Sequence, residues 1–286
     1  MWIMFAFGSA LFAGITAILA KIGIRNTDSN VATAIRTIVI LIFSWLMVFL
    51  VGSQNTILSI NSKTLVFLIL SGIATGGSWL CYFKALQLGD VNRVTPIDKS
   101  STILSMLLSF IILRESITIY KIIAMIVIGI GTYFMITRKN VEVKNAIGYK
   151  WLVYAFFSAI FASLTSILGK IGIQGVESNL GTAIRTIVVL IMAWIIVFVS
   201  RKQNEIFKID KKSMIFICLS GIATGLSWLC YYKALHDGPA SIIVPIDKLS
   251  ILVTITFSYL FLKEKLTSKY FFGLCLLVMG TLLLLI

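Results

Sequence analysis

Apolar stretches of some twenty residues, separated by short polar links, follow one another along this chain. Five lie in the first half, near 2–20, 31–51, 65–86, 94–113 and 122–136, and five in the second, near 151–168, 180–200, 214–235, 242–262 and 270–286. The hydrocarbon core of a bilayer takes roughly 20 residues of helix per crossing. Lipid offers the backbone no hydrogen-bond partner, so runs of this length are expected to be helices that satisfy their own amides. The pattern predicts an all-α membrane protein with ten transmembrane helices and no room for a soluble domain.

The two sets of five are copies. LAKIGI at Leu19–Ile24 returns as LGKIGI at Leu168–Ile173, and TAIRTIV at Thr33–Val39 returns unchanged at Thr182–Val188. SGIATGGSWLCYFKAL at Ser71–Leu86 returns as SGIATGLSWLCYYKAL at Ser220–Leu235, and PIDK at Pro96–Lys99 returns at Pro245–Lys248. Each pair is separated by the same 149 positions, as Lys170 is from Lys21. We therefore expect a first repeat at 1–137, a linker at 138–149 and a second repeat at 150–286. An odd number of crossings per repeat turns the second upside down relative to the first, which is the architecture of alternating-access transporters.

Composition agrees. Hydrophobic residues make up 59% of the chain and charged residues 13%, with a mean hydropathy of +1.01, far from the charged quarter of a soluble domain. The net charge of +14 is scattered over links and helix ends and argues for topology under the positive-inside rule rather than for nucleic acid. Counted by basic links, both termini would face away from the cytoplasm. Cys81, Cys218, Cys230 and Cys275 all fall in apolar runs and read as packing residues, with neither disulfide nor metal spacing.

Tyr-x-x-Ala-Leu near the end of the third run (Tyr82, Ala85, Leu86; Tyr231, Ala234, Leu235) and Leu-x-Glu closing the fourth and ninth (Leu113–Glu115, Leu262–Glu264) carry a resemblance. On these positions the chain resembles the EamA-type branch of the drug/metabolite transporter superfamily over its whole length, as a fusion of two half-length five-helix units. The resemblance implies transport and cytoplasmic termini, the opposite of the charge count. The lack of a nucleophile with a base or of metal ligands, with His236 the only histidine, argues against catalysis and a cofactor and leaves proton or ion coupling open. Members carry substrates as different as amino acids, choline, sugar phosphates and toxic cations.

Ionisable groups inside a membrane helix cost roughly 3 kcal/mol on insertion scales and are candidates for function. Here they come in equivalent pairs: Lys21 and Lys170, Arg36 and Arg185, Lys84 and Lys233, Asp98 and Asp247, Lys99 and Lys248. Each set of five is expected to gather at one membrane face, and by inversion the two net-cationic clusters lie on opposite faces, where gates would stand and where an anion would be drawn. Lys84 with Asp98, and Lys233 with Asp247, are close enough in sequence to latch. Plain readings compete. Long lysine side chains reach headgroups from helix ends, and Pro-Ile-Asp suits the first turn of a helix. Trp79, Tyr82, Trp228 and Tyr231 lie on the third and eighth runs, either as a substrate wall or as an interfacial belt, and the Gly72/Gly76 and Gly221/Gly225 spacings suit close helix packing.

Together these features point to a secondary transporter, by preference an exporter, of a small polar metabolite such as an amino acid or related carboxylate, in a bacterial-type plasma membrane. Drug or organic-cation efflux is the main alternative, weakened because the first run lacks an acidic residue. A channel or scaffold is the second. The substrate and the bilayer are the expected partners. A monomer holds both orientations and can suffice, and a homodimer is compatible with the sequence.

Overall fold

The computed structural model describes residues 1–23, 27–88, 97, 100–135, 150–262 and 268–286. Regular structure among them is helical: α1 (Trp2–Gly23), α2 (Ser29–Val51), α3 (Ser62–Leu88), α4 (Ser101–Ile112), α5 (Ile119–Met135), α6 (Lys150–Ile173), α7 (Ser178–Val199), α8 (Lys211–Asp237), α9 (Ala240–Lys248), α10 (Ser250–Leu262) and α11 (Ser268–Leu283), with 3-10 turns at Ser53–Ser59 and Gln203–Lys208. Six stretches, in α1, α2, α3, α6, α7 and α8, are long and apolar enough to cross a membrane, whereas α4, α5 and α11 are shorter apolar helices.

Helix ends are set by the same device in both repeats. The Asp28 carboxylate accepts the backbone N–H groups of Asn30 (2.9 Å) and Val31 (3.3 Å), and Glu177, its repeat partner, accepts those of Asn179 (3.0 Å) and Leu180 (3.1 Å). Asn61 and Asp210 start α3 and α8 in the same way, taking the amides of Lys63 (2.9 Å) and Ser213 (3.0 Å). These caps satisfy donors that the first helical turn leaves open. Hydrogen bonds from Ser213 hold the Asp210 carboxyl below the usual carboxylate range.

One expectation is corrected. The run at 242–262 is not a single helix, because α9 ends at Lys248 and α10 begins at Ser250. Pro245 lies inside α9 and has no N–H for the carbonyl of Ser241. Just beyond it the ladder tightens to three-residue spacing, with Leu249 N donating to Ile246 O (2.9 Å) and Leu252 N to Leu249 O (2.8 Å). The same step occurs 149 residues earlier, where Ser100 N donates to Ile97 O (3.2 Å) and α4 starts at Ser101. Pro245-Ile246-Asp247 thus closes a short helix rather than opening a long one.

The chain forms two compact units, neither of which is a repeat. One comprises Met1–Ile73, Leu168–Gly238 and Ile246–Lys263, the other Ala74–Ile167, Pro239–Pro245 and Glu264–Ile286. In the first unit α1 packs along α8: Ser9 Oγ lies 3.3 Å from Ser227 Oγ, Thr224 Oγ1 donates to Thr16 Oγ1 (3.2 Å), and a Cβ at Gly23 would stand 3.0 Å from Ile217. The rising numbers on α1 meet falling numbers on α8, so these helices are antiparallel. In the second unit Ser158 lies 3.4 Å from Ser78 and Thr165 3.3 Å from Thr75. Each of these is a contact of the first unit with the repeats interchanged.

The exchange extends to the glycines. A Cβ at Gly72 would sit 2.7 Å from Val188, and one at Gly221 would sit 2.8 Å from Val39. In the second unit α5 and α11 touch through Gly131, where a Cβ would be 2.7 Å from Leu277 N, and Gly280, where it would be 3.1 Å from Ile128 N. These pairs also interchange at 149. Small residues let helices approach closely enough for van der Waals packing to hold them in lipid, where no hydrophobic force separates helix from solvent.

Candidate functional site

The polar side chains within the first unit collect around α8. Arg185, on α7, is 2% exposed, and its Nε donates to Ser71 Oγ of α3 at 3.0 Å. Its guanidinium lies over two rings of α8, 4.9 Å from the centre of Trp228 and 4.8 Å from that of Tyr232. The Tyr232 hydroxyl is hydrogen-bonded to Ser71, closing a triangle of arginine, serine and tyrosine. Space for it comes from Gly169 on α6, where a Cβ would stand 2.8 Å from Tyr232 Cε1 and 3.1 Å from Ser71 Oγ. A planar cation is held there between two aromatic faces and a hydroxyl.

Asp247, one residue from the end of α9, accepts a hydrogen bond from Ser9 Oγ at 2.6 Å, and Ser227 Oγ in turn donates to the Ser9 carbonyl at 3.1 Å. A carboxylate at a helix break is thereby tied to the first helix of the other repeat. The expected latch between Lys233 and Asp247 is corrected: Lys233 lies 3.1 Å from Asp237, one turn along its own helix, and Asp237 also meets His236 at 2.7 Å. A partner at i+4 on the same helix needs no loop closure, and it wins.

Lys170 is 7% exposed and donates to the carbonyls of Leu235 and, at 2.7 Å, Gly238. It caps the C-terminus of α8, where carbonyls lack amide partners and the helix dipole favours a cation. Glu115 does the opposite for α9. Its Oε1 and Oε2 accept the amides of Ala240 (2.6 Å) and Ser241 (3.0 Å), so a residue of the first repeat caps a helix of the second. The turn that aims it is built by Arg114, at φ 53, with Glu115 N donating back to Ser109 O at 3.3 Å. That six-residue return bond gives the Leu-Arg-Glu sequence a mechanical meaning.

The remaining candidates are dispersed. Tyr231 packs edge-on against Tyr232 at 5.3 Å, and Lys248 is half-buried in the last turn of α9. In the second unit Tyr82 packs with Ala85, Ala155 and Trp151, Trp79 is half-buried on α3, and Lys84 is exposed. Asp98, Lys99 and the side chain of Lys21 lie outside the described residues, as does the linker 138–149. Arg36, on α2, is half-buried, and its Nε is buried without a hydrogen-bond partner among the described residues. A groove of about 540 Å³ between α1, the start of α8 and α10 is apolar, walled by Ile15, Ile18, Phe216 and Val253, and offers a polar solute nothing. Among the described residues no three His, Cys, Asp or Glu side chains gather as a metal site would require.

Sequence reasoning passed over Ser9, Ser71, Ser227, Gly169 and Glu115. The partners of the serines lie in the other repeat. Glu115 had a signal in its motif, whose use required the fold to see.

Apolar spanning helices exchanged between repeats, with buried charges paired across them, define an integral membrane protein of the transporter class. The chain belongs to the EamA-like transporter family, which matches residues 1–137 and again 149–286. It is 40% identical over 134 residues to an uncharacterized transporter encoded in the cobO 3′ region of a Sinorhizobium species, covering 47% of this chain and 95% of the relative. It is 35% identical over 83 residues to an uncharacterized protein of Methanocaldococcus jannaschii, covering 29% of this chain and 61% of that one. A solved crystal structure superposes with a TM-score of 0.79 over 98% of this chain and 95% of its own, at 14% identity, a likeness of fold alone.

Proposed function

We propose that this protein is a ten-crossing inverted-repeat secondary transporter that moves a small polar metabolite, by preference an amino acid or related carboxylate, across a bacterial-type plasma membrane by alternating access. The observation that carries the reading is the exchange of contacts: Ser9–Ser227 against Ser158–Ser78, and Gly23–Ile217 against Gly172–Leu68. Contacts that interchange under swapping of the repeats give a two-fold relation between them. The antiparallel run of α1 and α8, with alternate crossings in each repeat, makes that relation an inversion. Such a protein has a second state in which the repeats trade conformations at similar energy. The supporting count for the substrate is Arg36, Arg185, Lys170, Lys233 and Lys248 against Asp247 and Asp237. One chain contains both orientations, so a monomer suffices.

A second reading, organic-cation efflux, is favoured by Asp247, a carboxylate at a helix break. Counterflow in proteoliposomes separates the two. Vesicles loaded with unlabelled L-alanine, L-glutamate or choline are offered the labelled form of the same compound. Accumulation of an amino acid supports the proposal. Accumulation of choline alone supports the second reading, and accumulation of none of the three returns the protein to a scaffold.

A further inference from the structure

Two close approaches bracket a groove along α1. A Cβ at Gly14 would run into Val253 of α10, and one at Gly23 would stand 3.0 Å from Ile217 of α8. Between these points Ile15, Ile18 and Ile22 form a stripe on α1, and with Phe216 of α8 and Leu252 and Thr256 of α10 they line the groove of about 540 Å³. That volume lies within the ~300–1,000 Å³ of small-ligand sites, and the stripe covers about 10 Å of helix. α1 and α8 are long and apolar enough to cross a membrane, so hydrocarbon is the solvent at their outer surface. An empty groove there forfeits dispersion contacts along its walls, and an acyl chain restores them.

The groove ends beside charge. α8 starts at Lys211, and Lys212 precedes Phe216 by one helical turn, so these two side chains share a face. Lys211 and Lys212 are exposed and carry no ion pair among the described residues. Both acids of the preceding link are occupied, Glu205 with Lys208 at 2.9 Å and Asp210 with the amide of Ser213 at 3.0 Å. Arg201 adds a further exposed cation. Phe207, in the 3-10 turn of the same link, is 90% exposed, and an aromatic ring among lysines suits the headgroup layer better than bulk water. The first repeat shares only the apolar part. Leu164, Phe67 and Ile103 occupy the positions equivalent to Ile15, Phe216 and Leu252, but Gly52, Ser53, Ser59 and Ser62 stand where the second repeat has Arg201, Lys202, Lys208 and Lys211. Lys63 alone answers Lys212.

We propose that this corner of α1, α8 and α10 binds an anionic phospholipid of the surrounding bilayer, with one acyl chain in the groove and the phosphate against Lys211 and Lys212. Neither half of the site selects such a lipid alone. The groove accepts any chain and the lysines attract any anion, but a helical turn apart they select a phosphate attached to a chain. The site stands apart from the carboxylate reading above and holds for any transported solute. Only one repeat supplies the basic end, so the preference for an anionic lipid belongs to a single leaflet.

Native mass spectrometry of the full chain in a neutral detergent tests this, with phosphatidylglycerol, phosphatidylcholine of the same chains, or chain-free glycerol phosphate added at matched concentration. One phosphatidylglycerol is expected to stay bound with a preference of ~10- to 30-fold over phosphatidylcholine, as two lysines near a membrane surface supply. Glycerol phosphate is not retained. Lys211→Gln with Lys212→Gln removes most of that preference and leaves phosphatidylcholine unchanged. Thr256→Trp, at an exposed position of the groove, fills it and weakens both lipids. Lys63→Gln, at the equivalent position of the other repeat, changes neither. Equal retention of the two phospholipids by the wild type overturns the proposal and leaves a groove open to any chain. So does a phosphatidylglycerol preference that survives the double lysine substitution, that Lys63→Gln reduces as much, or a lipid affinity that Thr256→Trp leaves at full strength. Glycerol phosphate bound as tightly as the whole lipid makes the corner a site for soluble anions and overturns the lipid assignment as well.

Discussion

Ser9 and Asp247 are joined by a 2.6 Å hydrogen bond that ties the first helix of one repeat to the broken helix of the other. A hydroxyl bonded to a carboxylate contributes about 1.5–3 kcal/mol in soluble proteins, and cross-helix hydrogen bonds in membranes average about 0.6. Ser9→Ala is therefore expected to lower stability by ~1 kcal/mol, read as a shift of the unfolding midpoint in detergent. Lys233→Ala leaves this bond intact. If Lys233→Ala and Asp247→Asn instead shift accessibility to the same extent in cysteine labelling, the Ser9 bond is not what holds α9.

Gly169 and Tyr232 form a coupled pair. Gly169→Ala alone drives a methyl to 2.8 Å from the tyrosine ring and is expected to cost ~1–3 kcal/mol as overpacking does. Adding Tyr232→Phe reproduces the Ala20/Phe83 combination of the first repeat and should recover part of that loss. A double-mutant cycle on unfolding midpoints measures the coupling. Strict additivity would mean that the tyrosine hydroxyl and the glycine gap are unrelated.

Glu115 is a cap supplied from another element, and its removal should be felt where α9 begins. Glu115→Ala is expected to cost ~1 kcal/mol, within the range of N-cap substitutions, with hydrogen exchange quickened first at Ala240 and Ser241. Glu115→Gln retains oxygen acceptor capacity and should lose less. Equal exchange at those amides in wild type and Glu115→Ala would show that the α9 start is held by something else.

Asp210 gives a pH test outside the membrane. Its folded carboxyl titrates below the unfolded one, so its contribution is present above the ordinary value near 4 and is lost as pH falls through the lower folded value. The gap in unfolding midpoint between wild type and Asp210→Asn should be constant from pH 6 to 8 and close in acid, below about pH 4. A gap that widened on acidification would show that the cap does not titrate as described.

The long apolar runs at Ser29–Val51 and Ser178–Val199 were legible because a membrane helix announces itself by length and hydropathy alone. The 149-residue offset was equally plain, and it carries the contact exchange: Gly131/Gly280 and Thr132/Thr281 are the identities that survive along α5 and α11, and Gly131 and Gly280 are where those helices touch. What remained hidden was pairing across the repeats. Ser9 has no neighbour in sequence to show that its hydroxyl is spent on Asp247, and nothing near Glu115 marks an amide of Ala240 as its target. Lys233 misled because two acids lie within reach along the chain, and the nearer, Asp237, is met without leaving the helix.

The Tyr232–Gly169 lock has a consequence for the ancestry of such chains. A half-length polypeptide that assembles with its own copy carries one codon for both members of every equivalent pair, so a tyrosine gained at one site appears at the other as well. Fusion of the copies frees each position to drift alone. Gly169 with Tyr232, where the equivalent positions of the first repeat read Ala20 and Phe83, is then a pairing that one half can hold without the other, a divergence that a self-pairing half-length chain is genetically barred from writing.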